Sequence, residues 1–170
     1  MAVLEILTSE NPKLRVKAHR VPRVDDSVRR LMDDMVETML AAPGVGLAAT
    51  QVGVSLRVIV MKVDNQLYTL ANPEIVRSSG EQTGYEGCLS VPGLIGEVTR
   101  AQKVTCKALN RAGKEVRIRG EGLLARAIQH EIDHLDGVLF VDRLTSLDTL
   151  HEVEAGSEEN AAEDYELLAV

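Results

Sequence analysis

His130 and His134 stand four residues apart, with Glu131 beside the first, inside the apolar run 125–140. On an α-helix, residues four apart project from one face, so both imidazoles can meet a single cation. Glu131 then points near that cation without having to bind it. Two neutral nitrogen ligands and a carboxylate that takes a proton from an activated water are what a metal-dependent hydrolase needs. A solvated helix face with incidental histidines has the same spacing. A third ligand and an open coordination position separate the two readings.

Cys88 is the candidate third ligand. It stands in Gly84-Tyr85-Glu86-Gly87-Cys88-Leu89-Ser90-Val91-Pro92-Gly93. The glycines allow close backbone approach, and Pro92 limits how far the segment can pair as a central strand. An isolated cysteine is most often a small buried apolar residue. Beside a two-histidine helix its thiolate completes a Cys-His-His set and leaves the fourth position for water. Cys106, in the alternating Val104-Thr105-Cys106-Lys107-Ala108, reads as core. The third constellation is Gly44-Val45-Gly46-Leu47-Ala48-Ala49-Thr50-Gln51. It lacks the Lys-Ser/Thr of a phosphate loop. Small residues followed by one amide describe a tight wall, with Gln51 as donor to a developing oxyanion. A structural hydrogen bond is the commoner use of a lone glutamine.

These residues need elements to position them. Asp25, Asp26 or Ser27 can cap a helix that runs to about Ala42, where Pro43 and Gly44 stop it. Leu31, Met35 and Met39, with Met32, Val36 and Leu40 beside them, follow the helical period. Residues 57–63 are β-branched and strand-like, with 67–71 as their partner across Asp64-Asn65-Gln66. Residues 97–110 alternate loosely and meet 114–119 across Ala112-Gly113 as a hairpin. Residues 121–135 form the second long helix, and 146–154 a short acidic one. Residues 13–24 read as irregular. The pattern is α+β, with antiparallel strands packed around a central helix.

Composition sets the outer bounds. A chain of 170 residues, 45% hydrophobic, makes one domain with its own core. That core is aliphatic, since there is no Trp and a single Phe. Net charge is −7, yet from Leu144 onward there are eight acids and no Lys or Arg, leaving the body near neutrality. The body is therefore not a polyanion binder by bulk charge, and the acidic tail reads as solvated. The amino terminus lacks the cationic and apolar segments of a secretory signal. No stretch approaches a membrane span. A cytoplasmic, reducing setting follows as the expectation, with two free cysteines.

Taken together, the motifs resemble the peptide deformylases. The family's signatures, G-x-G-x-A-A-x-Q, E-G-C-x-S and H-E-x-x-H, stand here in that order as GVGLAATQ (44–51), EGCLS (86–90) and HEIDH (130–134). The resemblance covers most of residues 5–147, including NPKLR, GEVTRA and VDRL. It implies an α+β fold of antiparallel sheets around a metal-bearing helix, with a catalytic domain over 1–147 and an acidic tail, 148–170, partly helical or disordered. Cys88, His130 and His134 would be metal ligands and Glu131 the general base. The Gln51 amide and the Leu89 N–H would hold the oxyanion. The implied reaction removes the formyl group from the initiator methionine of new polypeptides and releases formate. Ferrous iron is the implied native metal, with nickel, cobalt or zinc able to take the site. N-formylmethionyl nascent peptides would lie extended against Val45, Gly46 and Gly87, with the methionine in a pocket from Val45, Leu123, Ala127 and the edge of His130. Glu86 and Arg100 would brace the metal loop.

Three departures stand out. Many members carry Glu where this chain has Pro43, and some bacterial members carry Arg where Leu94-Ile95 stand. Some also dock on the ribosome through a basic carboxy-terminal helix. The tail here is acidic and should be repelled by ribosomal RNA, so ribosome contact is expected to be transient and direct nucleic-acid binding is not expected. The rival readings are a zinc peptidase of the H-E-x-x-H type and an inactive relative that binds blocked amino termini. The peptidase normally recruits a third ligand downstream, where only His151 is found.

Overall fold

The apolar residues of the first helical segment fall on one side of a wheel, and the computed structural model, which describes residues 2–153 and 168–169, builds them as α1, Asp26–Ala41. The Asp25 side chain accepts from the Val28 N–H at its start, satisfying one of the donors a helix leaves open. Val28, Met32, Met35 and Met39 form the buried stripe. Leu40, on the expected apolar face, is exposed.

In chain order the strands are β1 (Gly46–Ala48), β2 (Val58–Val63), β3 (Gln66–Ser79), β4 (Gln82–Cys88), β5 (Val91–Arg100), β6 (Lys103–Leu109), β7 (Glu115–Glu121), β8 (His151–Glu152) and β9 (Leu168–Ala169). They form a five-stranded sheet, β1-β2-β3-β6-β7, and a four-stranded one, β8-β5-β4-β9. All pairings are antiparallel except β4 with β9. The β2–β3 turn consists of Asp64 and Asn65, with φ of 52° and 64°, as a two-residue hairpin with a primed turn requires.

Several expected boundaries move. Strand β3 continues past Asn72-Pro73 through a bulge between Ala71 and Glu74. Asn72 holds that kink by bonding both the N–H and the carbonyl of Val21, at 2.7 and 2.8 Å. Residues 97–110 are not one strand but parts of β5 and β6, which lie in different sheets. The cysteine segment, expected to pair little, is the β4–β5 hairpin, closed where Cys88 faces Val91. Pro92 is accommodated because β8 pairs with β5 only at Leu94 and Ile95. The acidic helix expected at 146–154 is instead a 3-10 turn, Leu147–Thr149, followed by β8. Leu150 and Val153 pack on apolar clusters around Val91 and Ile95, and an extended chain reaches both. The remainder of the expected tail, 154–167 and 170, lies outside the described residues.

Helix α2, Leu123–Leu135, follows Gly122, whose φ of 61° suits a residue without Cβ. Ala125, Ala127, Ile128 and Leu135 join Met61, Leu70, Val104, Cys106 and Ala108 of the first sheet in one core. The opposite side of α2 meets the second sheet, where Arg126 bonds the Val98 carbonyl. A helix enclosed this way can bury polar side chains in fixed positions. Among the described residues, no helix is long and apolar enough to cross a membrane.

Candidate active site

Helix α2 sets the two histidine rings one turn apart, edge to face, with centroids separated by 4.9 Å. His134 Nε2 lies 3.2 Å from His130 Nε2 and 3.2 Å from Cys88 Sγ. The ligand atoms of Cys88, His130 and His134 all fall within 4.8 Å of one another. Cys88 reaches them from the end of β4, half-buried, while both histidines are buried. One thiolate and two imidazoles converging on a point form a set that divalent first-row cations accept, with a position left open.

Each ligand is aimed by its neighbours. His130 Nδ1 is 2.7 Å from Glu86 Oε1, which turns Nε2 toward Cys88 and fixes the ring. Glu86 is fully buried and accepts two bonds from Arg100, both 2.9 Å, and another from the fully buried Arg126. Arg100 also donates to Asp133 at 2.6 Å, and Asp133 accepts from Arg143. Burial alone would raise the Glu86 carboxyl, but the Arg100 and His130 bonds outweigh it and hold it ionised far below the usual range. Burial, then the charge on His130, keeps His134 well below the ordinary imidazole value. A neutral ring is the form that ligates. The Ser90 N–H donates to Cys88 Sγ at 3.4 Å.

Glu131 is the odd member. Both carboxylate oxygens are buried and accept no hydrogen bond, an arrangement that costs stability unless a ligand or proton occupies it. Burial pushes its carboxyl up to about 7. The room it occupies comes from Gly46, where a Cβ would lie 2.3 Å from Glu131 Oε2. Gln51 is equally constrained. Its Oε1 accepts from the Ala48 N–H at 2.9 Å, so Nε2 is the end presented to Ser90 Oγ at 3.0 Å, on the Cys88 side.

Leu89 lies in the β4–β5 turn against Gly44, where a Cβ would meet its side chain at 2.7 Å. Val45, Leu123 and Ala127 share one apolar cluster. Gly87 sits on β4, in register with Ala169 of β9. His151 stacks on Tyr85 at 6.0 Å and is not part of the ligand cluster. Leu94 and Ile95 are β5 residues paired with β8. Sequence reasoning missed Ser90, Arg126, Asp133 and Arg143. Arg126 left a readable trace: an arginine one turn before His130 on the same helix face.

The polypeptide deformylase family model matches residues 3–150. The chain belongs to this family. Peptide deformylase of Symbiobacterium thermophilum is 53% identical over 99% of this chain and 78% of its own length. That of Thermomicrobium roseum is 51% identical over 95% of this chain and 97% of its own. The crystal structure of a peptide deformylase from Legionella pneumophila superposes with a TM-score of 0.83 at 50% identity, covering 87% of this chain and 89% of that one. The α+β deformylase fold expected from the motifs is the fold observed. The chain is thus an enzyme of this family, a hydrolase, and deformylases depend on a metal. In this chain the Cys-His-His cluster, with a neighbouring carboxylate that has no hydrogen-bond partner, is a donor set that fits such a cation.

Proposed function

We propose that this deformylase hydrolyses the formyl amide at the amino-terminal methionine of newly made polypeptides, giving formate and a free amino group. The observation that carries the reading is the unpartnered, buried Glu131 carboxylate beside the Cys88-His130-His134 cluster. Cys88, His130 and His134 would hold one divalent cation, ferrous iron by family resemblance, with nickel, cobalt or zinc as substitutes. When bound, that cation supplies Lewis acidity and lowers the pKa of water.

The chain's own residues do the rest. Glu131 takes the proton of the attacking water and passes it to the departing amine. Gln51 Nε2, held by Ala48, donates to the oxygen that gains charge on the formyl carbon, together with the Leu89 N–H. The peptide adds as a strand between β4 at Gly87 and the segment at Val45 and Gly46. The Val45 carbonyl is already taken by the Lys62 N–H at 2.8 Å, so pairing there would use its N–H. The edge of β4 accepts a strand from Leu168–Ala169, which supports this mode. The methionine side chain enters the wall formed by Val45, Leu123 and Ala127. The expected setting is the cytoplasm, where nascent chains carry the formyl group.

An anaerobic assay of a formyl-Met peptide tests this reading, using iron- or nickel-loaded protein and Glu131→Ala. Formate release by the wild type, with a loss of at least about 10²-fold in the variant, is expected. Cleavage of internal peptide bonds would assign the site to a peptidase. Tight binding without turnover would assign it to an amino-terminus binder.

A further inference from the structure

The near-neutral body hides a local concentration of charge that only the strand registers assemble. In β6 the buried residues are Val104, Cys106 and Ala108, so Lys103, Thr105 and Lys107 project from the opposite, outer face. Thr105 is flanked directly by Arg77 of β3 and Arg119 of β7, and Lys107 faces Arg117. Arg77, Lys103, Arg117 and Arg119 are exposed and line one concave surface of about 640 Å³ with a single acid, Glu121. Among the described residues none of these four cations has an ion-pair partner. Lys107 does, in Glu115 at 3.3 Å.

Like charges directly opposite on adjacent strands, as Lys107 and Arg117 are, oppose sheet formation. Of the acids across from these cations, Glu121 faces Lys103 and Glu74 faces Lys107, leaving Arg77 and Arg119 on either side of Thr105. Here they gather in a molecule whose net charge is −7. The surface is open and extended: Arg77 and Arg119 are two strand spacings apart, about 10 Å. An enclosed pocket for one small anion would instead converge its donors. The lining has hydroxyls at Ser78, Ser79 and Thr105 but no aromatic ring to stack a base. The face also lies on the side of the sheet away from α2, so an occupant leaves the cleft at Glu131 free.

We infer that this outer face docks the phosphate backbone of RNA, without reading its sequence. The biological reason rests on the proposed function: substrates would emerge from a particle whose surface is largely RNA. With the tail acidic, these arginines supply the cationic contact. Four phosphate contacts give weak binding with a steep salt dependence, which suits an enzyme that visits each chain once.

Binding of the full chain to a fluorescein-labelled 20-base-pair RNA, read by anisotropy at several salt concentrations, tests the inference apart from catalysis. The expected plot of log affinity against log salt has a slope of about −3.6. The combined Arg77→Gln, Arg117→Gln and Arg119→Gln variant should bind at least tenfold more weakly at low salt and lose most of that slope. Its thermal midpoint and its rate on a short formyl-Met peptide should stay unchanged, and its co-sedimentation with ribosomes should fall. Single substitutions reproduce a graded loss should the triple variant not fold. Equal RNA binding by variant and wild type, or no binding by either, overturns the inference. Binding of a synthetic peptide of residues 154–166 in preference to RNA also overturns it, assigning the face to acidic protein segments.

Discussion

Glu131 behaves differently in the metal-free protein from an ordinary surface acid. Burial holds its carboxyl at about 7 in the folded state, above the ordinary 4.5, so the folded state keeps a proton that the unfolded chain has released. The stability this gives is fully present below about pH 4.5 and is lost as pH rises through about 7. Metal-free wild type should therefore lose stability relative to Glu131→Gln between pH 5 and pH 8. Urea unfolding at the two pH values measures the difference, and parallel behaviour would remove the effect. Gln51 acts at the same scale. Because Ala48 fixes its amide, Gln51→Ala should lower kcat by about 10²–10³ with little change in KM, read from steady-state rates on a formyl-Met peptide. These residues were legible because their spacing is local: four residues for the histidines, one for Glu131. Cys88 was legible because few other residues can complete such a set.

The braced network lives on elements. Arg126 and Asp133 on α2, Glu86 on β4 and Arg100 on β5 meet in one buried cluster, which the exposed Arg143 beyond α2 joins at its edge. Arg126→Met leaves Glu86 paired with Arg100 and His130, so the fold should survive while His130 is held less firmly. Metal affinity should fall about 10–100-fold, with partial recovery in Arg126→Lys. Competition against a chelating dye measures it. An unchanged affinity would make Arg126 a packing residue. The Glu86–Arg100 pair came from resemblance alone, and the rest of the cluster was hidden in the sequence. Arg126 and Glu86 are 40 residues apart and Arg100 and Asp133 are 33 apart. Periodicity reports which face of an element is apolar and says nothing of which strand will lie beside it. The same limit explains the joined β5–β6 segment and the expected acidic helix. Each has an apolar pattern that only its neighbours resolve.

At the scale of the molecule, composition gave the aliphatic core and the order of helical and strand-like segments gave the class of fold, and Met32, Met35 and Met39 pack as the core requires. Averaging over the body concealed the cationic sheet face, because Arg77, Thr105 and Arg119 become neighbours only after pairing. A cation held by Cys88 of β4 and the two histidines of α2 would tie the second sheet to the helix, so its removal should be felt globally. A metal present at about 10³ times its Kd adds about 4 kcal/mol, and stripping it should lower Tm by roughly 10 °C. Scanning calorimetry with and without chelator reads this shift, and Cys88→Ala should show almost none. The buried charges have a consequence in temperature. Dehydrating ions costs less as water warms, while apolar packing gains little more. The cluster of two buried arginines and two acids, Arg100, Arg126, Glu86 and Asp133, should thus account for a growing share of stability on heating. Arg126→Met should be more destabilising at 60 °C than at 25 °C, a difference that unfolding curves at the two temperatures can deny. A site braced by charge is one whose grip, relative to the oily core around it, tightens with heat.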